Sequence, residues 1–359
     1  MRHHQPSRHR LTAACVYLLL FIFSRVPLTN ADTSKDADHY LVKADSALSN
    51  NRTEEAVTLY SSGIQLLPKQ WSTEVIDESA EASESGEDDA IPDAKEMEII
   101  VSLHTNYGTA LSFVEGPSDK VIDAYKTACL CYRKWKKLVD EIEIDEAPKK
   151  AAIQSFFFLG MTYQDRAAAT NPKEQQEEYL QHAVKAYAAA TKLDPNHWSS
   201  FANMGVVLAD VGVDSEGNNA VSLQMFDEGI MSYHKAIMIL TGYNESGKRT
   251  SNRPTDPPEN AKEVVAELQY RTGLCLVPSL FTANNSEDDY NKKLCTLPSV
   301  AKERSCMELA AYQFHTALQS NDQHEGALNA LTLVTADATF GMSTDVKNVQ
   351  QLFEDYASR

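Results

Sequence analysis

Five cysteines follow the N-terminal segment, and their spacing determines the chemistry that they could support. Cys275, Cys295 and Cys306 flank one loop, so a disulfide among these three residues would staple that loop. Cys129 and Cys131 lie two residues apart on a predicted helix and therefore face different sides of it. Because the number is odd, one thiol stays unpaired or pairs outside the chain in an oxidising compartment. No spacing of Cys and His matches a zinc site, so we predict no metal.

Motifs for catalysis or cofactor binding are missing from the sequence. It contains neither the Gly-rich turn of dinucleotide-binding domains nor the phosphate-binding loop, and no metalloprotease, serine-hydrolase or kinase pattern. The acidic pair Asp288–Asp289 lies in a polar stretch, where burial could not tune a carboxyl pKa. The sequence therefore predicts no catalytic or cofactor-binding residue, no cofactor, and a chain that is not an enzyme as it stands.

The first 31 residues have the layout of a secretory signal peptide. Arg2, Arg8 and Arg10 precede an apolar run over residues 11–23, and small residues surround a cleavage point near 29–31. This run has 13 residues, whereas a membrane-spanning helix needs about 18 to 20. We expect the endoplasmic reticulum lumen or secretion. The alternative is a single-pass signal anchor, and we expect membrane contact only if the segment is retained.

Charge and sequons agree with this location. Removing residues 1–31 removes four Arg and no acid, which lowers the formal net charge from −18 to −22. Such a chain repels nucleic acid and anionic lipid, so we predict no nucleic-acid partner. Sequons begin at Asn51, Asn244 and Asn284, which are the candidate N-glycosylation sites in surface loops.

Small and aromatic residues recur at helical spacing through most of the chain. In the clearest stretch Ala183 and Ala190 flank Tyr187, Asp194–Pro195 follows, and Gly205 lies in the next apolar pattern. A small residue lets two helices approach, an aromatic side chain fills the space beside it, and Pro ends the helix. Other residues that mark the same order are Tyr60, Gly63, Gly108, Gly160, Tyr233, Gly273 and Phe314.

This order resembles the tetratricopeptide repeat (TPR). The resemblance implies an all-α fold, a TPR-like superhelix (α-solenoid) of about five to six antiparallel helix pairs with loop insertions. In such a superhelix the first helix of each pair lines the concave face, which is the expected binding groove.

An acidic stretch interrupts the array. Residues 72–98 carry 11 acids against one Lys, and so polar a stretch cannot bury enough apolar surface to order itself. The predicted organisation is a signal peptide over 1–31, a first helix pair over 32–70, an acidic disordered linker over 71–98, a TPR-like array over 99–330 with insertions near 171–178, 211–222, 242–260 and 280–298, and a C-terminal capping or junction helix over 331–359.

Periodicity directs a set of side chains into the predicted groove. These candidate groove residues are Asn106, Thr109, Phe157, Met161, Gln164, Asp165, Asn203 and Val206, together with Ala202. An Asn can donate to and accept from the backbone of an extended peptide, and so bind the peptide whatever its sequence. TPR modules that grip acidic chaperone tails use Lys and Arg here, whereas these positions are neutral or acidic. The expected partner is a protein or peptide in the concave groove, and the alternative for each residue is an ordinary solvent-facing position.

The C-terminal residues carry a second resemblance. Residues 349–359 are similar to the junction that leads from the repeats into the catalytic domain of TPR-containing S-adenosylmethionine-dependent methyltransferases, with Glu354 where that pattern has Asp. The sequence therefore supports a non-catalytic TPR scaffold in the secretory pathway. The alternative is the N-terminal, substrate-binding part of such a methyltransferase, whose catalytic domain is missing from this chain.

Overall fold

The computed structural model describes residues 32–72, 91–139, 146–171, 173–214, 219–243, 248–250, 254, 258–276, 294–295 and 304–336. These form two compact units, which we call unit 1 (residues 1–151) and unit 2 (residues 152–359). The first five helices are α1 (Asp32–Ser49), α2 (Thr53–Gln65), α3 (Lys69–Ser72), α4 (Ala94–Glu115) and α5 (Asp119–Leu138). The remaining elements are α6 (Glu146–Ala169), α7 (Lys173–Leu193), α8 (Trp198–Asp214), α9 (Asn219–Thr241), α10 (Ala261–Leu276), β1 (Leu294–Cys295), β2 (Arg304–Ser305), α11 (Cys306–Ser320) and α12 (Glu325–Ala336).

Within its described residues, unit 1 consists of two stacked helix pairs, α1/α2 and α4/α5, the short helix α3 and the first residues of α6, 146–151. The Tyr60 hydroxyl donates to Asp45 Oδ1 at 2.6 Å, and Gly63 lies beside Tyr40. Residue numbers thus rise along α1 as they fall along α2, so the pair is antiparallel. In α4/α5, Gly108 lies against an aromatic ring of α5. Helix α2 also packs on α4, which joins the two pairs.

Unit 2 repeats the same arrangement in the pairs α6/α7, α8/α9 and α10/α11. In each pair a buried glycine of the first helix meets an aromatic ring of the second. These contacts are Gly160 with Tyr187, Gly205 with Tyr233, and Gly273 with Phe314. A Cβ at Gly160 would lie 2.6 Å from Tyr187 Cε1, nearer than non-bonded carbon atoms pack, so the close approach requires glycine. The predicted all-α fold of antiparallel, TPR-like helix pairs is confirmed.

A histidine at the N-terminal cap of α12 hydrogen-bonds α10. The Ala327 backbone N–H donates to His324 Nδ1 at 3.1 Å, so the proton is on Nε2, which donates to Glu267 Oε2 at 3.0 Å. The Tyr270 ring lies 4.9 Å from the His324 ring, centroid to centroid. One side chain thus caps α12 and ties it to the preceding first helix.

The described helices extend beyond the predicted boundaries in several places. Residues 94–98 of the predicted disordered linker belong to α4, because Asp93 and Glu96 form a capping box: the Glu96 N–H donates to Asp93 Oδ1 and the Asp93 N–H donates to Glu96 Oε2. At the other end of that linker, Trp71 is buried in α3.

The predicted insertion near 171–178 is helical from Lys173, and α12 crosses the predicted boundary at residue 330. Strands β1 and β2 form a two-residue antiparallel pairing beside the predicted 280–298 insertion.

Some predictions fall outside the described residues. These are the signal peptide over 1–31, most of the acidic stretch, and the junction pattern over 349–359. None of the described helices combines the length and apolar character needed to cross a membrane.

A histidine in the interior of unit 1 makes stability depend on pH. His104 Nε2 donates to the Trp71 carbonyl at 2.8 Å, which holds α3 against α4. Burial lowers the pKa of His104 to about 4, although the bond to the Trp71 carbonyl favours the charged ring. The unfolded chain binds this proton near pH 6.5 and the folded chain only near pH 4, so folding is favoured by a neutral ring.

We therefore expect the free energy of unfolding to fall as pH drops from about 6.5 towards 4, by on the order of 3 kcal/mol from this group. Urea unfolding at several pH values would measure the slope. His104→Gln keeps a donor for the Trp71 carbonyl but cannot titrate, so its slope should be smaller. Equal slopes in the two proteins would contradict the assignment.

Candidate binding surface

The candidate site is built on the first helices of the pairs. In unit 2 we define the first-helix surface as Phe157, Met161, Gln164, Asn203, Val206, Arg271 and Leu274. All seven side chains are half-buried. The helices α6, α8 and α10 carry them, and the interhelical glycines set how closely each first helix approaches its second helix.

A tyrosine from the second helix organises the polar part of this surface. The Tyr187 ring is buried, and its hydroxyl donates to Gln164 Oε1 at 3.1 Å. The Asn203 side chain lies beside the same hydroxyl and favours its ionised form. Tyr187 of α7 therefore bonds α6 and lies beside Asn203 of α8.

The environment keeps the Tyr187 hydroxyl neutral. Burial raises its pKa well above 10, the nearby Asp165 carboxylate raises it further, and the bond from Asn203 lowers it only in part. A neutral phenol has one proton to donate, and that proton goes to Gln164. The Tyr187 hydroxyl is thereby fixed as the donor to Gln164.

The next helix pair also has a tyrosine on its second helix, but this tyrosine has different partners. Tyr233 of α9 hydrogen-bonds Arg271 of α10, whose Nε donates to Glu267. Arg271 lies two residues before Gly273, as Asn203 lies two residues before Gly205. The same helical position thus receives the tyrosine of the preceding pair in both cases.

Unit 1 has a comparable network on α1 and α4. Asp45 Oδ1 accepts from the Tyr60 hydroxyl at 2.6 Å and from Asn106 Nδ2 at 2.9 Å. Thr109 Oγ1 lies 3.0 Å from the Tyr125 hydroxyl. Val42 and Phe113, on the same two helices, expose 51% and 55% of their surface.

The predicted groove residues are therefore divided between the units. Asn106 and Thr109 lie in unit 1 and the others in unit 2. Asn106, Thr109 and Gln164 each hydrogen-bond a partner described above, and Asn203 lies beside the Tyr187 hydroxyl. Asp165 is exposed and Ala202 is buried, which removes Ala202 from the candidate surface. Whether any of them contacts a ligand stays a prediction.

The aromatic and apolar members of the set have clear neighbours. The Phe157 ring lies 5.9 Å from the Tyr187 ring and 5.3 Å from the His197 ring, centroid to centroid. Met161, Val206 and Leu274 each directly follow an interhelical glycine. Sequence reasoning missed Leu274 and Arg271, although their offsets from Gly273 would have identified both.

The cysteines only partly match the predicted disulfide. Cys306 is disulfide-bonded, whereas Cys275, like Cys129 and Cys131, carries a thiol. The Cys295 side chain lies outside the described part of the structure. Cys275 therefore leaves the candidate set, because it is buried in α10 within the core of unit 2. In the described part of the chain, no three His, Cys, Asp or Glu side chains converge to hold a metal.

Asn51 is the candidate glycosylation site that the structure describes. It is exposed in the turn between α1 and α2, with a φ of 58°. Asn tolerates this left-handed conformation better than most residues. Asn244 and Asn284 lie outside the described residues.

Tyr187→Phe tests the hydrogen-bond chain without changing the ring packing. We expect a loss of about 1 kcal/mol in the free energy of unfolding, because Gln164 Oε1 loses its donor. Urea denaturation would measure this loss. Tyr179→Phe on the same helix is the matched control, since the Tyr179 hydroxyl bonds only an exposed Gln175 in the described structure, at 3.5 Å. Equal losses in both variants would show that the Tyr187 hydroxyl has no special role.

The similarity of this chain to known proteins is low. Neither a protein-family model nor a curated protein sequence matches this chain. Among solved structures, it is similar to a thermophilic TPR protein of Thermus thermophilus, with 11% identity over 83% of this chain and 98% of that chain, and a TM-score of 0.34. The fold assignment rests on the helix pairs and interhelical glycines described above.

Proposed function

We propose that this chain is a non-catalytic scaffold that binds a protein or peptide segment on its first-helix surface. The observation that carries the proposal is the pair of half-buried amides, Gln164 and Asn203, beside the Tyr187 hydroxyl. Gln164 turns its oxygen towards Tyr187, so its NH2 group can donate to a ligand. Asn203 lies beside the same hydroxyl and carries an amide that can donate to or accept from a ligand.

Two neighbouring amides match the two groups of a peptide bond. Backbone C=O would accept from Gln164 Nε2, and backbone N–H would donate to Asn203 Oδ1. Because Tyr187 fixes the orientation of Gln164 before a ligand arrives, little side-chain entropy of Gln164 is lost on binding. The half-buried Phe157, Met161 and Val206 around these amides supply apolar contact.

The site is tested with the full chain and a displayed peptide library. A selected peptide should bind Gln164→Ala about tenfold more weakly than wild type, the effect of one lost hydrogen bond. Gln224→Ala removes the same amide from an exposed position on α9, where Gln224 bonds Glu228, and should bind like wild type. If the library yields no binder, or if both variants bind like wild type, the proposal is wrong.

We also propose that the scaffold acts in the secretory pathway. The N-terminal layout, the Cys306 disulfide and the exposed Asn51 support this location. Chain isolated from secretory cells should lose mass on treatment with an N-glycosidase, and Asn51→Gln should lose one glycan. Chain that is found only in the cytosol and without glycan would contradict the location.

A second candidate function follows from the resemblance of residues 349–359 to a methyltransferase junction. In that case the first-helix surface would hold the substrate of a methyltransferase. Transcript sequence that continues past the codon for Arg359 into a Gly-rich strand-turn-helix unit would support it, and a stop codon directly after Arg359 would contradict it.

A further inference from the structure

We infer that residues 73–90, which we call the acidic segment, dock on a cationic surface of the same chain at the C-terminal end of α5. This surface, the cationic end of α5, consists of Arg133, Lys134, Lys136 and Lys137. The inference goes beyond the proposed function, because it assigns an occupant to a second helix of unit 1. It follows from the charges on α5 and from contacts that hold the chain at both ends of the acidic segment, which itself lies outside the described residues.

The cationic end of α5 contrasts with the rest of an acidic chain. The formal net charge of the chain is −18, yet residues 126–138 carry five Lys or Arg and no Asp or Glu. Arg133, Lys136 and Lys137 are exposed, and Lys134 is half-buried. Within the described part of the chain, Lys136 and Lys137 form no ion pair. The surface therefore has positive charge that described carboxylates do not neutralise.

The chain contacts this part of α5 just before the acidic segment begins. Lys134 Nζ lies 4.8 Å from the centroid of the Trp71 ring, and the Cys131 thiol donates to the Trp71 carbonyl at 3.7 Å. The same carbonyl accepts from His104 of α4 at 2.8 Å, and the Trp71 side chain is buried. The chain is thus held beside Lys134 two residues before the acidic segment.

The chain returns to the same part of α5 just after the acidic segment ends. Trp135 Nε1 donates to the Pro92 carbonyl at 2.8 Å, and the Trp135 side chain is buried. Cys131, Lys134 and Trp135 lie within little more than one helical turn. Both ends of the acidic segment are therefore anchored beside the four cations.

The acidic segment supplies the complementary charge. Its 18 residues contain eight Asp or Glu and no Lys or Arg. Because both of its ends are anchored at the surface, its carboxylates are held there at a local concentration in the millimolar range. One exposed ion pair contributes little to stability, but several pairs within one chain form without the entropy loss of bringing two molecules together. The acidic segment is therefore favoured over the acidic surface of another protein.

A second acidic run is the alternative occupant. It directly follows α5 and contains Asp140, Glu141, Glu143 and Asp145. This run has half as many acids as the acidic segment, and only its start is joined to α5. We therefore expect the acidic segment to form most of the ion pairs with Lys136 and Lys137.

Carbodiimide crosslinking of the full chain, followed by proteolysis and mass spectrometry, tests the inference. The reagent joins a carboxylate to a Lys amine where the two groups are in contact. We expect Lys136 and Lys137 to crosslink mainly to residues 73–90, with a several-fold lower yield in about 1 M NaCl, where the Debye length is about 3 Å. Crosslinks mainly to residues 140–146, no crosslink from either Lys, or a yield that salt leaves unchanged would overturn the inference.

A labelled hexaglutamate peptide tests whether the surface is occupied, by fluorescence anisotropy at low ionic strength with the full chain. The first variant replaces four acids of the acidic segment by amides: Glu84→Gln, Glu87→Gln, Asp88→Asn and Asp89→Asn. We expect this variant to bind the peptide about tenfold more tightly than wild type, because fewer carboxylates compete for the cations. Adding Lys136→Gln and Lys137→Gln to it should return binding to the wild-type level.

The matched control replaces the four acids of the second run by amides: Asp140→Asn, Glu141→Gln, Glu143→Gln and Asp145→Asn. Both sets of substitutions change the formal net charge from −18 to −14, so a general loss of repulsion would affect them equally. We expect the control to bind the peptide like wild type. Equal binding by the first variant and the control, or binding that persists without Lys136 and Lys137, would overturn the inference.

Discussion

Gly160→Val is expected to lower the free energy of unfolding by about 3 kcal/mol, the upper part of the range for overpacked cores. The new Cβ would lie 2.6 Å from Tyr187 Cε1, and the Tyr187 ring is fully buried. Helix propensity would slightly favour Val over Gly, by well under about 1 kcal/mol. Steric conflict at the helix crossing therefore decides the sign.

Urea denaturation followed by circular dichroism would measure this loss. Ala168→Val on the exposed end of the same helix is the matched control, and should cost about 0.5 kcal/mol. In a Tyr187→Ala background the cost of Gly160→Val should shrink, because the opposing ring is gone. If the cost is the same with and without the ring, the contact is not what requires glycine.

Trp71→Ala is expected to destabilise unit 1 by about 3 to 5 kcal/mol, the usual range for truncating a buried aromatic residue. Trp71 is 1% exposed, and Lys134 Nζ lies 4.8 Å from its ring centroid. The Trp71 carbonyl also accepts from His104, which fixes the place of α3. Loss of the ring would leave a cavity beside α4 and α5.

Comparison of Trp71→Phe with Trp71→Ala separates the contribution of the aromatic ring to stability from that of the indole N–H group. Trp71 Nε1 is buried and has no acceptor within the described structure, and an unpaired buried donor costs about 1 to 3 kcal/mol. Removing this unpaired N–H should offset much of the stability that is lost with the smaller buried ring. The Trp71→Phe variant should therefore be clearly more stable than Trp71→Ala. Chemical denaturation of both variants would measure the difference. An Ala variant as stable as wild type would show that α3 is not part of the core.

The helix pairs were predictable because their signal is local and periodic. Gly205 and Tyr233, or Gly273 and Phe314, follow the order of small and aromatic residues that two packed helices require. The same order also predicted the side of α6 on which Gln164 lies.

The hydrogen-bond network was not predictable by the same reasoning. Asn203 and Gln164 are 39 residues apart in the sequence, and only the fold brings both to the Tyr187 hydroxyl. The disorder predicted from composition was also wrong at the two ends of the acidic stretch, where Trp71 and Met97 are buried. Net charge describes a whole segment, whereas single buried residues and the capping box at Asp93 decide where a helix starts.

The most direct test of the central claim is site-specific photo-crosslinking of a library-selected peptide to the full chain. A photoreactive side chain at Val206 reports on the first-helix surface, and one at Met231 reports on an exposed second-helix position. We predict an efficient crosslink from position 206 and none from position 231. A crosslink from position 231 with none from position 206 would contradict the claim that this chain binds its partner on the first helices.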